Sequence, residues 1–261
     1  MIPDKKLKTK RKGRQGIILC IVGIFLIIVL LIQIWKIGNY LRDGWKSRVF
    51  SKDLQNSVII MDEREQDTDG NVEVKKPIAI DFDRLYKING DTAAWLFAPG
   101  TRINYVIARG TDNDYYLDHL LDGTAANGGT LFADCRCSAD FSDWNTIIYG
   151  HHMKDGTMFA GLMDYRNPDY YEEHPVMYLY VPEKRYKLEL IAGYTTDIHD
   201  MVFSVPITKE ERGEIIAHAS SISSFISDVT VSEEDKLVTL STCSYAYEDA
   251  RYVVIGRILE E

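Results

Sequence analysis

Cysteine is scarce in this chain, with four residues in 261. Cys20 falls inside an apolar run, leaving Cys135, Cys137 and Cys243. Three is odd, so at least one thiol outside that run stays free within a monomer. A Cys135–Cys137 bridge would close a very small, strained ring. A Cys-x-Cys pair without a second close pair of ligands also lacks the spacing of a zinc site. A disulfide scaffold is thereby set aside, and Cys135 and Cys137 are expected to be plain thiols near a strand end. Internal repeats, low-complexity tracts and a second long apolar run are missing as well. So is a basic face for nucleic acid. The first 36 residues hold eight Lys and Arg against one acid, a net charge of +7. The whole chain carries −9, which leaves −16 for the remainder. An acidic domain of that kind offers phosphates nothing to pair with, which excludes nucleic acid as a partner. It is also not drawn to anionic headgroups. The acidic stretch 61–76, with Asp69-Gly70-Asn71 as a turn, lacks the spacing of an EF-hand loop and reads as a solvated linker.

The one long apolar run covers residues 17–34, interrupted clearly only by Gly23 and Gln33. It is long enough to cross a bilayer as a helix. Lys5, Lys6, Lys8, Lys10, Arg11, Lys12 and Arg14 precede it, against Asp4 alone. The positive-inside rule then puts the N-terminus in the cytoplasm and everything after Lys36 outside the cell membrane, as a single-pass protein. The run exceeds the apolar region of a usual signal peptide and no small-x-small cleavage site follows it, so an uncleaved signal anchor is expected. After it, Ile37, Tyr40, Leu41, Trp45, Val49, Phe50 and Leu54 recur at near-helical spacing, which predicts a juxtamembrane helix over 36–55. The expected organisation is a basic cytoplasmic segment at 1–16, a transmembrane anchor at 17–36, a helix and acidic linker at 37–80, and an extracellular folded domain at 81–261.

Within that domain a short helix is expected at 81–88. Strands are expected at 92–97, 103–108, 130–133, 146–149, 176–181, 186–195, 237–240 and 252–258. Apolar residues at 158, 159, 162 and 163 predict a helix over 157–165. A second helix is expected over 208–227, where Thr208 and Glu211 make a capping box. About eight short strands with helices between them fit a closed β-barrel.

Two stretches carry chemistry. Thr239-Leu240-Ser241-Thr242-Cys243 ends one expected strand, and Arg251 starts the next after a short polar turn. The hairpin brings a thiol and a guanidinium to one rim of the sheet. The thiolate is the nucleophile, and a fixed cation nearby favours it or stabilises an oxyanion during acyl transfer. Upstream, Tyr149-Gly150-His151-His152 follows another strand, with Gly150 ending it and letting the chain turn. A reacting Cys needs a partner that takes or shares its proton, and His changes charge near neutral pH.

The Tyr-Gly-His segment, Thr-Leu-x-Thr-Cys and the spaced Arg resemble the three signature elements of the sortases, membrane-anchored cysteine transpeptidases of Gram-positive bacteria. The chain is most similar to class B sortases, over roughly residues 81–259. Trp95-Leu96 before Pro99-Gly100 and the segment Asp112-Asn113-Asp114-Tyr115-Tyr116-Leu117 resemble recurrent class B segments and are read as scaffold. Where class B relatives commonly carry Asp-Tyr-Arg-Asn, this chain reads Asp134-Cys135-Arg136-Cys137, a departure that leaves the local role open. The resemblance implies a mainly β fold with flanking helices: a closed eight-stranded sortase-type barrel preceded by one transmembrane helix, with an inserted helix beside the substrate groove.

It further implies that Cys243 attacks the carbonyl after Thr in a sorting motif near the C-terminus of a surface protein. A thioacyl enzyme forms and is resolved by an amine of the peptidoglycan precursor or cross-bridge. His151 is the expected acid/base, because the family's imidazole directly follows Gly; His152 is its rival. Arg251 is the expected oxyanion stabiliser. Its rival Arg257 lies six residues further along the strand, about 20 Å away. Ser241 shares the Cys243 face of the strand and is a candidate substrate contact. His119, His174, His199 and His218 are expected to be surface or packing residues. Neither a metal nor an organic cofactor is demanded, because thiol, imidazole and guanidinium supply nucleophile, acid/base and electrostatics. The alternatives are a membrane-anchored cysteine hydrolase, a pilin-polymerising sortase, for which a second membrane span is wanting, and an idle binding domain on the same barrel.

Overall fold

A computed structural model describes residues 5–60, 79–205, 207–244, 246 and 249–261. The linker expected at 61–76 lies outside them. The chain divides into two compact units, Met1–Trp45 and Lys46–Glu261. Helix α1, Lys5–Val58, starts in the first unit and ends in the second. No break separates the apolar run from the helix expected at 36–55; the second is simply the continuation of the first. From Ile21 onward α1 is long and apolar enough to cross a membrane, and none of its apolar window is buried.

In the second unit the last turns of α1 bury Leu54 and Val58 beside Ile80, Phe82, Leu85 and Trp95. A two-residue ladder joins Ile59–Ile60 to Ala79–Ile80. Helix α2, Phe82–Ile88, follows, and the Asp81 side chain accepts from the Arg84 N–H at its start, satisfying one of the free donors of the first turn.

Among the described residues eight strands close into a barrel. They are β1 Thr92–Phe97, β2 Asn104–Ala108, β3 Leu131–Ala133, β4 Asn145–Tyr149, β5 Val176–Val181, β6 Lys184–Thr196, β7 Leu237–Cys243 and β8 Arg251–Glu260. Round the barrel the order is β8-β6-β5-β1-β2-β3-β4-β7, with β7 returning to β8. Pairing is antiparallel except for β2 with β3 and β4 with β7.

Alternation along the strands sorts side chains between the barrel interior and the layer outside it. Val238, Leu240, Tyr252 and Val254 face the interior with Leu96, Ile148 and Leu179. Leu237, Val253 and Ile255 face outward and are covered by Ile215 and Ala219 of helix α4, Lys209–Ile222. Ile215 is 1% exposed, a burial worth about 1.5–3 kcal/mol, so α4 is pinned to the outer face of the β7–β8 hairpin. The expected capping box is present, with Thr208 and Glu211 bonded reciprocally.

Two expectations need correction, and one element is additional. The helix over 157–165 is a 3₁₀ helix, Phe159–Arg166. Phe159, Leu162 and Tyr165, three residues apart, are all fully buried, and a three-residue repeat eclipses side chains only in a 3₁₀ helix. Helix α4 stops at Ile222 rather than 227. Ser223 Oγ accepts from the Gly193 N–H and the Ser224 N–H donates to the Gly193 carbonyl, so the chain leaves the helix to bind β6. Phe225 then enters the barrel core while Ile226 is exposed. Helix α3, Pro168–Glu173, has no counterpart among the expected elements; Asn167 caps it and Pro168 occupies its first turn, where a missing N–H costs nothing.

Candidate active site

The parallel β4–β7 pairing places Tyr149 opposite Ser241, and the Gly150 N–H extends it by donating to the Ser241 carbonyl at 3.1 Å. Antiparallel β7–β8 pairing puts Arg251 directly opposite Cys243. Two such residues project from the same face. The ends of three strands therefore deliver His151, Cys243 and Arg251 to one rim of the barrel.

Gly150 is needed for room rather than for an unusual turn. A Cβ there would sit 2.3 Å from Leu131 Cδ2 and 2.6 Å from Phe159 Cδ2. The chain passes so close to the core that a side chain here would have to displace Leu131 or Phe159.

The two histidines divide their tasks. His151 Nε2 lies 2.6 Å from the Leu117 carbonyl oxygen. A carbonyl only accepts, so Nε2 carries the hydrogen and Nδ1 is left to exchange a proton. His152 instead sets Nδ1 3.1 Å from the backbone carbonyl of Cys243. It steadies the main chain of the thiol-bearing residue, and it does not line the cleft that His151 lines.

That cleft has a volume of about 600 Å³ and is bordered by His151, Ser241, Thr242, Cys243 and Arg251. Phe132, Tyr149, Ile198 and Phe203 give it apolar walls, and Asn113, Asp114 and Arg136 polar ones. Cys243 and Arg251 are half-buried. The Arg251 guanidinium donates through Nη1 to the carbonyls of Asp249 and Ala250, at 3.3 and 3.2 Å, and its other nitrogens make no hydrogen bond among the described residues. Ser241 is 1% exposed and its Oγ has no partner among the described residues. Leu240 faces the core, as the alternation requires.

The rivals fall elsewhere. Arg257 bonds Glu189 and the Thr230 carbonyl, away from the cleft. His119 stacks on Tyr115, His174 packs against Tyr170, and His218 lies beside Asp200 and Tyr194. Cys135 and Cys137 are free thiols. Burial pushes the Cys137 thiol up to about 11, which keeps it protonated and inert near neutral pH.

Two further arginines make contacts that the sequence does not assign. Arg166 Nη2 donates to Thr195 Oγ1 and Ser244 Oγ, both at 3.0 Å, and its guanidinium sits 5.5 Å from the Tyr252 ring centroid. It braces the residue after Cys243 against β6. Arg136 grips the fully buried Asp134 with two bonds, Nε to Oδ1 at 2.9 Å and Nη2 to Oδ2 at 2.7 Å. Burial by itself would raise the Asp134 carboxyl; bonds from the Arg136 side chain and backbone, with Asn113 and Tyr149, outweigh it and draw the group down to about 2. Nothing in the spacing of Asp134-Cys135-Arg136-Cys137 announces that pair.

A free thiol, an imidazole and a guanidinium at one rim of a closed barrel are the parts of a cysteine-dependent acyl-transfer enzyme. Known proteins built the same way bear this out. A family model described as the sortase domain matches residues 96–259. Sortase B of Listeria monocytogenes serovar 1/2a is 33% identical over 257 residues, covering 97% of this chain and 99% of the relative. The crystal structure of sortase B from Bacillus anthracis in complex with AAEK1 superposes with a TM-score of 0.71 at 30% identity, over 85% of this chain and all of that one. A crystal structure of sortase B complexed with triglycine gives 0.65 at 31% identity, over 69% and 86%. The chain belongs to the sortase family, as a class B sortase, and is a cysteine transpeptidase.

Proposed function

We propose that Cys243, His151 and Arg251 carry the transpeptidation in this chain. The observation behind the assignment is their convergence on one cleft, with Cys243 and Arg251 as register partners. The Cys243 thiolate adds to the carbonyl carbon of a peptide bond. Arg251 holds the oxyanion through N–H groups not spent on the Asp249 and Ala250 carbonyls. Collapse breaks the C–N bond, His151 gives a proton to the departing amine, and a thioester to Cys243 remains. An incoming amine then attacks the thioester, His151 takes its proton, and the thiolate leaves.

The donor in this reading is a surface protein with a sorting motif near its C-terminus, cut after Thr. The acceptor is an amine of the peptidoglycan precursor or cross-bridge. A sortase B has been crystallised with triglycine, whose free amino terminus is a primary amine. Ser241, whose Oγ has no partner among the described residues, is the candidate contact for the donor peptide, and Ser241→Ala is expected to raise KM. Incubating the enzyme with a panel of fluorogenic Thr-containing peptides, with and without triglycine, tests the reading. The expected product with triglycine is the new amide. Hydrolysis product alone in both cases overturns the transfer reading and leaves the hydrolase.

We also place the enzyme on the cell surface, supported by the basic residues before the apolar run and the length of that run. The basic segment 1–16 is cytoplasmic, 17–36 spans the membrane, 37–80 links, and 81–261 is the extracellular catalytic domain. Protease added to intact, wall-stripped cells is expected to digest the Cys243 domain. Full protection of that domain reverses the orientation.

A further inference from the structure

Arg136 stands on the loop after β3, on the same cleft wall as the reacting groups. Both edges of its fork that face Asp134 are occupied, and the Arg136 backbone N–H adds a third bond to that carboxylate at 2.9 Å. The Tyr149 hydroxyl donates to it as well, at 3.0 Å, and Arg136 Nη2 also reaches the Phe203 carbonyl at 3.3 Å. From behind, Arg109 ties down the same loop by donating to the carbonyls of Cys135 and Cys137. Nη1 carries no bond among the described residues, and the side chain is 47% exposed.

A carboxylate as buried as Asp134 is costly, and a scaffold that needed only to be filled would do as well with an apolar side chain. What the carboxylate adds is orientation: it fixes the plane of a guanidinium in the lining of the cleft before any ligand arrives. Such preorganisation matters for binding, because it removes the ordering cost at the moment of contact. We propose that Arg136 is a substrate-binding residue that donates from Nη1 to a neutral carbonyl oxygen of the bound donor peptide. A carboxylate ligand fits less well. Asp134, 2.7 Å from Nη2, largely cancels the field an anion would feel, whereas a carbonyl oxygen needs only a directed N–H.

This rests on the reading that a donor peptide lies in the cleft, and the experiment separates the two. The probe is the fluorogenic Thr-containing peptide that the wild-type enzyme turns over fastest. Wild-type turnover of it upholds that reading by itself; no turnover of any such peptide removes both. Replacing Arg136 alone would strand a buried charge, so the informative variant is the double Asp134→Asn, Arg136→Gln, with Arg136→Lys beside it. Folded variants are expected to raise KM by about tenfold to 150-fold, the range of one lost charge-assisted hydrogen bond, with kcat within about twofold. The ratio of variant to wild-type KM is expected to hold between about 0.05 and 0.5 M salt, because the partner is uncharged. A folded double variant with wild-type KM makes Arg136 merely structural. A ratio that collapses at high salt replaces the neutral oxygen with an anion. Either result overturns the proposal while the cleft's function stands.

Discussion

Cys243→Ala is expected to lower cleavage and transfer together by at least about a thousandfold, because no thioester can form without the nucleophile. His151→Ala should be nearly as damaging, since the departing amine is then a poor leaving group. The two other free thiols among the described residues give the contrast. Cys137 is buried with Sγ 3.7 Å from the Asn145 carbonyl, so Cys137→Ala is expected to cost about 1 kcal/mol of stability, the loss of one small buried group, and little turnover. Cys135→Ala should leave most activity, because the Cys135 contact to Asn113 runs through the backbone N–H that alanine also has. Mass analysis of peptide products, with melting curves for each variant, provides the comparison. A silent Cys135→Ala or Cys137→Ala enzyme with an unchanged melting transition contradicts the assignment of the nucleophile.

Much of the barrel is legible in sequence because its strands are short, β-branched and separated by turns. β1 and β5 fall on residues 92–97 and 176–181 as expected, where apolar runs stop at Asn-Gly or Pro. The strand ends are less legible. β7 runs on from Leu240 to Cys243 because Thr242, polar in sequence, spends its hydroxyl on the Gly150 carbonyl at 2.8 Å. That contact joins residues 92 apart in sequence, and no local pattern encodes it. The segment Phe159-x-x-Leu162-x-x-Tyr165 misleads in another way. Its threefold repeat is present in the sequence, but the neighbouring Met158 and Met163 mimic a 3.6-residue period.

The reacting residues can be named because family motifs fix them along the chain, not because their meeting can be seen in sequence. The residues around them are hidden. Arg166, His152 and the Asp134–Arg136 pair act through contacts to carbonyls, hydroxyls or a carboxylate brought together only by barrel closure. A positively charged residue in a polar loop looks the same in sequence whether it faces water or grips a buried acid. Full burial of Asp134 cannot be read from a segment that also contains Arg136. It follows from Tyr149 and Arg136 covering the carboxylate, one from β4 and one from its own loop.

Arg251→Lys is expected to lower kcat by about a hundredfold to a thousandfold, although the charge is kept. Geometry is the reason. Cross-strand pairing with Cys243 fixes where the Arg251 side chain starts, and the carbonyls of Asp249 and Ala250 hold its Nη1 edge. The remaining N–H groups of one rigid plane can then be aimed at a carbonyl oxygen as it gains charge. A lysine ammonium is a point charge on a flexible stem, and cannot satisfy those two carbonyls and the oxyanion at the same positions. Loss of a single oxyanion donor is typically worth that factor in kcat. The matching control is Arg257→Lys. That residue lies at the far part of β8 and pairs with Glu189 of β6, so its exchange should change turnover little and stability by about 1–3 kcal/mol. Turnover of the same fluorogenic peptide by both folded variants decides. Near-normal kcat for Arg251→Lys, or a larger loss for Arg257→Lys, removes Arg251 from the reacting set and leaves the oxyanion to other donors of the cleft.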